Sequence, residues 1–213
     1  MTPPSPDWIL GRAKGLGEVI SPSAGDRLSQ YWGLVELWSR KMNLVGPSAL
    51  ERFWEEHLAE CVWLRRHLPP DEPLADLGSG AGLPGLVLAC LEPGRSIHLM
   101  EARQKKARFL RLAAAQLELN RVEIHALRVG RENTGAKRPL AVSRAAAPLD
   151  RLLSLASHLV APGGRLVALK GPGADEELAL VKVSPGWAEW SIESSHHIEI
   201  YNKMCIAMTF IRD

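Results

Sequence analysis

Cysteine is scarce. Three residues in 213, Cys61, Cys90 and Cys205, are far apart, odd in number and form no C-x-x-C pair. That excludes a disulfide scaffold and implies packed thiols in a reducing compartment. No run approaches the roughly 18 apolar residues that a membrane span needs, so no membrane partner is expected. The opening MTPPSPDW has no basic stretch leading into an apolar one, so no signal peptide is expected and the cytoplasm is the expected location. Repeats and low-complexity tracts are absent, which excludes a solenoid. Metal-ligand spacing is absent too. His196 and His197 are adjacent in a strand pattern and would point to opposite faces, so no metal is expected. Net charge is only +2, which excludes a chain that binds polyanions over its whole surface.

What is present is a large apolar content, 46%, enough for one globular unit with a small extension. The charge is unevenly spread. Residues 103–144 hold eleven Lys/Arg against three acids, a net of +8, whereas residues 1–75 hold eight basic and ten acidic residues, a net of −2. The basic segment suits a polyanion partner, and equally suits a solvated helix face.

Residues 7–68 read as helices broken by Gly, Pro and Ser. Leu28, Tyr31, Trp32, Val35 and Trp38 fall at helical spacing. A second helix opens on a capping-box pattern, Ser48 with Glu51, runs through Phe53, Trp54, His57, Leu58, Cys61 and Leu64, and stops at Pro69 and Pro70. Four tryptophans, at 32, 38, 54 and 63, belong to this part and read as core. Beyond it strands and helices alternate: strands at 74–77, 96–101, 122–129, 140–144 and 165–170, helices at 84–91, 104–119, 149–160 and 175–181. Two strands, 187–198 and 204–212, close the chain with no helix between them. The expected fold is α/β: a Rossmann-like, seven-stranded, mostly parallel sheet over residues 71–213, with an N-terminal helical cap over residues 1–70.

The segment LADLGSGAGLPG, residues 74–85, decides the chemistry. From Gly80 it fits the dinucleotide pattern G-x-G-x-x-G. From Asp76 it reads as an acid at a strand end followed by a glycine turn built on Gly78, Gly80 and Gly82. Strand, turn and helix aim backbone N–H groups at a ligand. Glu101 ends the next strand, 21 positions after Gly80, where a carboxylate can receive ribose hydroxyls. Both features serve NAD and S-adenosylmethionine (AdoMet) enzymes. Asp76 separates them, because a carboxylate repels a pyrophosphate and suits a sulfonium.

Four stretches carry a family resemblance: LADLGSGAGLPGLVLA, SIHLMEARQKKARFLRLAAAQLELNRVEI, VSRAAAPLDRLLSLASHLVAPGGRLVALKGP, and WSRKMNLV followed by EEHLAE. Together, over residues 31–212, the sequence resembles the bacterial RsmG (GidB) methyltransferases. The resemblance implies the AdoMet-dependent methyltransferase fold and methyl transfer to the N7 of one guanine in 16S rRNA, with S-adenosylhomocysteine as product. Matched by motif, Asp76, Gly78, Gly80, Gly82, Leu83 and Glu101 would bind AdoMet, with Val129, Gly130 and Arg144 beside them. Asn43 and His57 would belong to the substrate side of the cap. Two departures stand out: Gly130, followed by Glu132, replaces an acid of the family, and Glu60 replaces an aspartate.

Guanine N7 has a free lone pair, so no general base is required and in-line positioning carries the reaction. Arg144, at a strand end, is the expected catalytic residue and would orient the base. Lys170 stands at the next strand end. Arg103, Lys105, Lys106, Arg108 and Arg111 share one helix and, with Arg128, Arg131, Lys137 and Arg138, form the expected RNA-facing surface. The expected partner is 16S rRNA in a 30S subunit or its assembly intermediate, met by a monomer. Three alternatives stay open from the residues alone: the same fold acting on another RNA or a small molecule, a non-catalytic RNA-binding protein, and an NAD(P)-dependent oxidoreductase.

Overall fold

The computed structural model describes residues 3–144, 147–182 and 184–213. The chain opens with α1 (Pro6–Gly15) and α2 (Pro22–Ser39). Each is capped by a serine hydroxyl, Ser5 on the Trp8 N–H and Ser21 on the Ala24 N–H, with proline at the first helical position. Trp8, Trp32, Phe53 and Trp54 meet edge to face and lock these helices to the next segment.

That next segment departs from the expected single helix. It is α3 (Pro47–Glu51), a π-turn (Trp54–Leu58), α4 (Ala59–Leu64) and a 3-10 turn (Arg65–His67). The capping box does not form: Gly46 is the N-cap, Pro47 takes the first turn, and no side chain caps the helix. Arg52, at φ −119 and ψ 38, breaks the run. The π-turn then re-aims the chain so that Trp54 and Leu58 are buried.

The remaining elements are β1 (Leu74–Leu77), α5 (Gly85–Leu91), β2 (Ile97–Met100), α6 (Gln104–Gln116), β3 (Val122–His125), β4 (Arg138–Arg144), α7 (Leu149–Ala156), β5 (Val160–Lys170), α8 (Ala174–Val181), β6 (Trp190–Ile200) and β7 (Lys203–Arg212). They build one seven-stranded sheet in the order β3-β2-β1-β4-β5-β7-β6, parallel except for β7, which runs antiparallel to both neighbours. The expected α/β sheet is therefore present. Its order reverses between β1 and β4, the switch point where open α/β sheets bind ligands.

Alternation along the strands gives the sheet two apolar faces. Leu74, Ile97, Leu99, Leu140, Val142 and Val167 join α5, α6 and the N-terminal helices in one core. Ala75, Leu77, Met100, Ala141 and Leu166 face α7 and α8 in the other.

Two boundaries differ for physical reasons. The helix expected to reach residue 160 ends at Ala156, and Pro162-Gly163-Gly164 lies inside β5 as an irregularity opposite Pro139. Proline has no N–H for the ladder there, and a Cβ on Gly164 would come within 2.7 Å of the Pro139 carbonyl oxygen. The strand expected over 122–129 stops at His125, because the Glu132 carboxylate accepts the Arg128 N–H at 2.6 Å and folds that stretch into a turn. Among the described residues no helix is long and apolar enough to cross a membrane.

Candidate active site

The C-terminal ends of β1 and β2 and the turn after β3 enclose a recess of about 430 Å³, a size suited to a nucleoside-sized ligand. Leu77, Gly78, Met100, Glu101, Val129 and Leu155 wall it, and Arg103, Arg128, Arg131 and Arg151 stand on it as well. The sequence-predicted Gly78, Glu101, Val129, Gly130 and Arg103 are brought together here. Gly78 has φ +81 and Gly130 has φ +82, a conformation that favours glycine. Gly130 therefore meets a backbone need that an acid would strain. Glu132 holds the turn and does not line the recess.

Glu101 directly follows β2 and works twice. One carboxylate oxygen accepts the Gly80 N–H at 2.9 Å, the other the Arg103 N–H at 2.7 Å. It thus fastens the glycine turn to the start of α6 and keeps lone pairs for a diol.

Asp76 departs from its expected place. It is fully buried under the turn, away from the recess. One carboxylate oxygen accepts the Gly85 N–H at 3.1 Å, and the other has no partner. Burial pushes its pKa up to about 7, against the nearby Ser79 hydroxyl and the hydrogen bond from the Gly85 N–H. Buried beneath the turn with its pKa raised, it does not face the recess, so its charge is a weaker discriminator against a pyrophosphate than the sequence suggested. It fastens the turn to α5 from below.

Gly80 and Gly82 shape the turn without lining the recess, and Leu83 packs into the core. Tyr31 of α2, buried and with its pKa raised by burial, donates to the Ala81 carbonyl at 2.9 Å and ties the cap to the same turn.

A second recess of about 600 Å³ opens at the ends of β4 and β5, lined by Glu60, Arg144, Leu169, Lys170, Glu177 and Lys203. Arg144 is almost enclosed. Its Nε donates to Glu60 and one terminal nitrogen donates to the Glu56 carbonyl at 3.1 Å and to His57 Nδ1 at 2.6 Å. Burial alone would lower the Arg144 pKa, and the neighbouring Glu60 carboxylate more than offsets it, so the pKa is raised. Burial, then the positive charge of Arg144 and Lys203, holds His57 down to about 3. His57 is therefore a neutral acceptor, useless as an acid near pH 7.

Glu60 gathers the cluster. Its second oxygen receives Lys203 Nζ at 3.3 Å and the Cys205 thiol at 3.5 Å. Burial, then Glu60, pushes that thiol up to about 12. Lys203 follows the Tyr201-Asn202 turn, both residues at positive φ, so a tight hairpin delivers it to the cap. Sequence reasoning missed Glu60 as an anchor and missed Lys203 and Arg151. For Glu60 the trace was its place three positions after His57, where the resemblance implies an acid; Lys203 and Arg151 left none.

Lys170 lines this recess but is already engaged, by Glu177 at 2.7 Å and the Ala147 carbonyl at 3.1 Å. Asn43 is exposed and lines a separate hollow with Glu36, Arg40 and Leu50, so it is not brought to Arg144. On α6, Arg103, Lys105, Arg108 and Arg111 are exposed and Lys106 is half-buried beside Gly80. Arg138, expected on that surface, is instead buried against His98 and the Ala136 carbonyl. Ala145 of the S-R-A motif lies outside the described residues.

With this geometry in view, the model of one family, GidB, rRNA small subunit methyltransferase G, matches residues 25–198. This chain belongs to the GidB family. Among its relatives, the ribosomal RNA small subunit methyltransferase G of Halorhodospira halophila is 40% identical over 172 residues, 81% of each chain. The protein of the same name from Nocardioides sp. is 39% identical over 191 residues, 87% of this chain and 75% of that one.

Solved structures agree on the fold. M. jannaschii TYW2 in complex with AdoMet superposes with a TM-score of 0.58 at 12% identity, covering 74% of this chain and 76% of that one. A Pyrococcus furiosus methyltransferase gives 0.58 at 13%, covering 73% and 83%. Membership in the GidB family closes the dinucleotide oxidoreductase alternative.

Proposed function

We propose that this chain transfers the methyl group of AdoMet to the N7 of one guanine in 16S rRNA, within a 30S subunit or an assembly intermediate. The observation that carries this reading is the recess holding Glu101 and Gly78 at the switch point of the sheet, next to the enclosed Arg144. The residues suit AdoMet. Glu101 keeps acceptor positions for the ribose hydroxyls, Leu127, Val129 and Leu155 offer apolar walls to the adenine, and Gly78 leaves room for close approach. AdoMet supplies an electrophilic methyl on a sulfonium.

The chain's own part is to position and to shield. N7 attacks with its lone pair, and His57, held neutral, takes no proton from it. Bare positive charge beside N7 would lower its nucleophilicity. Glu60 compensates Arg144, so that guanidinium can orient the base without presenting an uncompensated cation. Arg103, Lys105, Lys106, Arg108 and Arg111 on α6, with Arg128, Arg131 and Arg151 at the recess, would hold phosphates. Lys170 extends the substrate side at the second recess, and Asn43 offers a further contact from its separate hollow on the cap. The 1–70 cap acts as a unit over the sheet, and the chain works as a monomer in the cytoplasm, where its three cysteines stay free thiols.

The deciding assay incubates the protein with methyl-labelled AdoMet and, separately, 30S subunits and naked 16S rRNA, then digests the RNA to nucleosides. Label in 7-methylguanosine, lost in Glu101→Ala while the fold persists, is expected. Label in another nucleoside overturns the N7 reading. AdoMet binding without any methylation, together with RNA binding lost in the Arg108→Glu/Arg111→Glu variant, would turn the reading to a non-catalytic RNA-binding role.

A further inference from the structure

On the α7 face of the sheet, clear of both recesses, the parallel register of β2 and β3 places His98 opposite Glu123 and brings His125, two residues on, to the same side. His98 Nδ1 lies 3.1 Å from His125 Nε2 and 3.4 Å from a Glu123 carboxylate oxygen, which is 3.7 Å from His125 Nε2. These three donor atoms form a nearly regular triangle. A tetrahedral Zn²⁺ with ligands at about 2.0–2.1 Å holds its donors about 3.3 Å apart. We propose that His98, Glu123 and His125 form a Zn²⁺ site with its fourth position open to water.

The surroundings support this in two ways. Ser96 Oγ lies 3.3 Å from His98 Nε2. With the ring proton on Nε2, the Nδ1 lone pair faces the centre of the triangle, the outer-shell arrangement that orients a ligating imidazole. A cation already stands there. Arg138 points a terminal nitrogen at His98 Nδ1 from 3.1 Å, while its own Nε is buried without a partner. The guanidinium thus competes with a metal ion for the His98 lone pair.

Zinc would displace Arg138 and fasten β3, an edge strand paired only with β2. The residues just beyond His125, Leu127–Arg131 in part, wall the first recess. The ion would therefore stiffen that wall while taking no part in the reaction. Sequence spacing alone gave no hint, because His98 and His125 sit 27 positions apart and meet only through strand pairing.

The test titrates tag-free, chelator-treated full-length protein with Zn²⁺ in a calorimeter, and with Co²⁺ while reading its tetrahedral visible absorption. One equivalent is expected to bind. His98→Ala and His125→Ala should each weaken binding by at least about tenfold. His196→Ala, at a distant histidine pair, should leave it unchanged. Arg138→Gln, which removes the competing cation and keeps the imidazoles, should bind Zn²⁺ more tightly than the native chain. Absence of binding by the native chain, or affinity unchanged in both histidine variants, overturns the proposal. AdoMet binding in the same preparations is a separate readout, so failure of the metal site leaves the methyltransferase reading intact.

Discussion

The two recesses at the strand ends are built from opposite materials. Around β1 and β2 the chain builds the turn from backbone: glycines at positive φ, N–H groups collected by Glu101, and the buried acid Asp76 fastening the turn to α5, with the arginines of this recess standing beside the turn. Around β4 and β5 it uses charge: the buried Arg144 and Glu60 with the half-buried Lys203 in one knot, with His57 and Cys205 held neutral beside it. The first region shapes a place for a ligand through sterics. The second holds a cation still and compensates it, which suits a site where a base must be oriented without losing nucleophilicity. A substitution should therefore act by desolvation of charge in the second region and by crowding or protonation in the first.

The largest effect is expected from Glu60→Ala. Its carboxylate is 6% exposed and Arg144 15%, so removing the acid strands a buried guanidinium beside Lys203. Breaking a buried pair by deleting one partner costs about 3–5 kcal/mol. Denaturant unfolding should show that loss, with methyl transfer falling further as Arg144 gains freedom. A loss under about 1 kcal/mol, the range of exposed pairs, would mean that solvent reaches the knot.

Gly85→Ala tests the other material. A Cβ there would come within 2.3 Å of the Leu99 side chain and 2.6 Å of the Asp76 carboxylate. Crowding a packed site costs about 1–3 kcal/mol. It also pries Asp76 from the start of α5, so AdoMet affinity measured by calorimetry should drop. Intact affinity together with the stability loss would show that the turn holds its shape without Asp76.

The contrast also decides what could be read from the sequence. The backbone-built region was legible because its needs are local: glycines within eight residues, an acid 21 positions on, and a strand and helix on either side. The sheet was legible for the same reason, since its central strands are short local apolar runs set between helices. The charged knot was not. Arg144 and Glu60 are 84 positions apart, and Lys203 and Glu60 are 143 apart, joined through a π-turn and a hairpin that no periodicity announces. The Asp76 carboxylate was placed in the right loop but on the wrong side of it. A strand-end residue faces one side of the sheet or the other by register, and register here is set by β4 and β2, which the loop itself does not encode.

The smallest effect per pH unit is a slope, and one variant isolates the share of Asp76 in it. Folding raises its pKa from 3.8 to about 7, chiefly through burial. Between those values the native chain holds a proton that the unfolded chain releases, so this group makes stability fall as pH rises through the window. The slope reaches at most about 1.4 kcal/mol per pH unit. His57 works the other way. Its native pKa of about 3 lies below the ordinary 6.5, so its contribution is fully present above 6.5 and is lost as pH falls towards 3. His67, held down to about 4 by burial and then by His196 and Arg66, acts in the same sense, as do His98 and His125, so net stability between pH 4 and 6.5 mixes opposed contributions that the wild-type curve alone does not separate. Asp76→Asn does. Asn keeps an acceptor for the Gly85 N–H and cannot ionise, so the variant retains only the trend of the histidines. The stability difference, variant minus wild type, should climb across pH 4 to 7 and level off above pH 7. Parallel curves would mean that Asp76 is solvated and ionised in the folded chain, and the two recesses would then differ less in their materials than their geometry indicates.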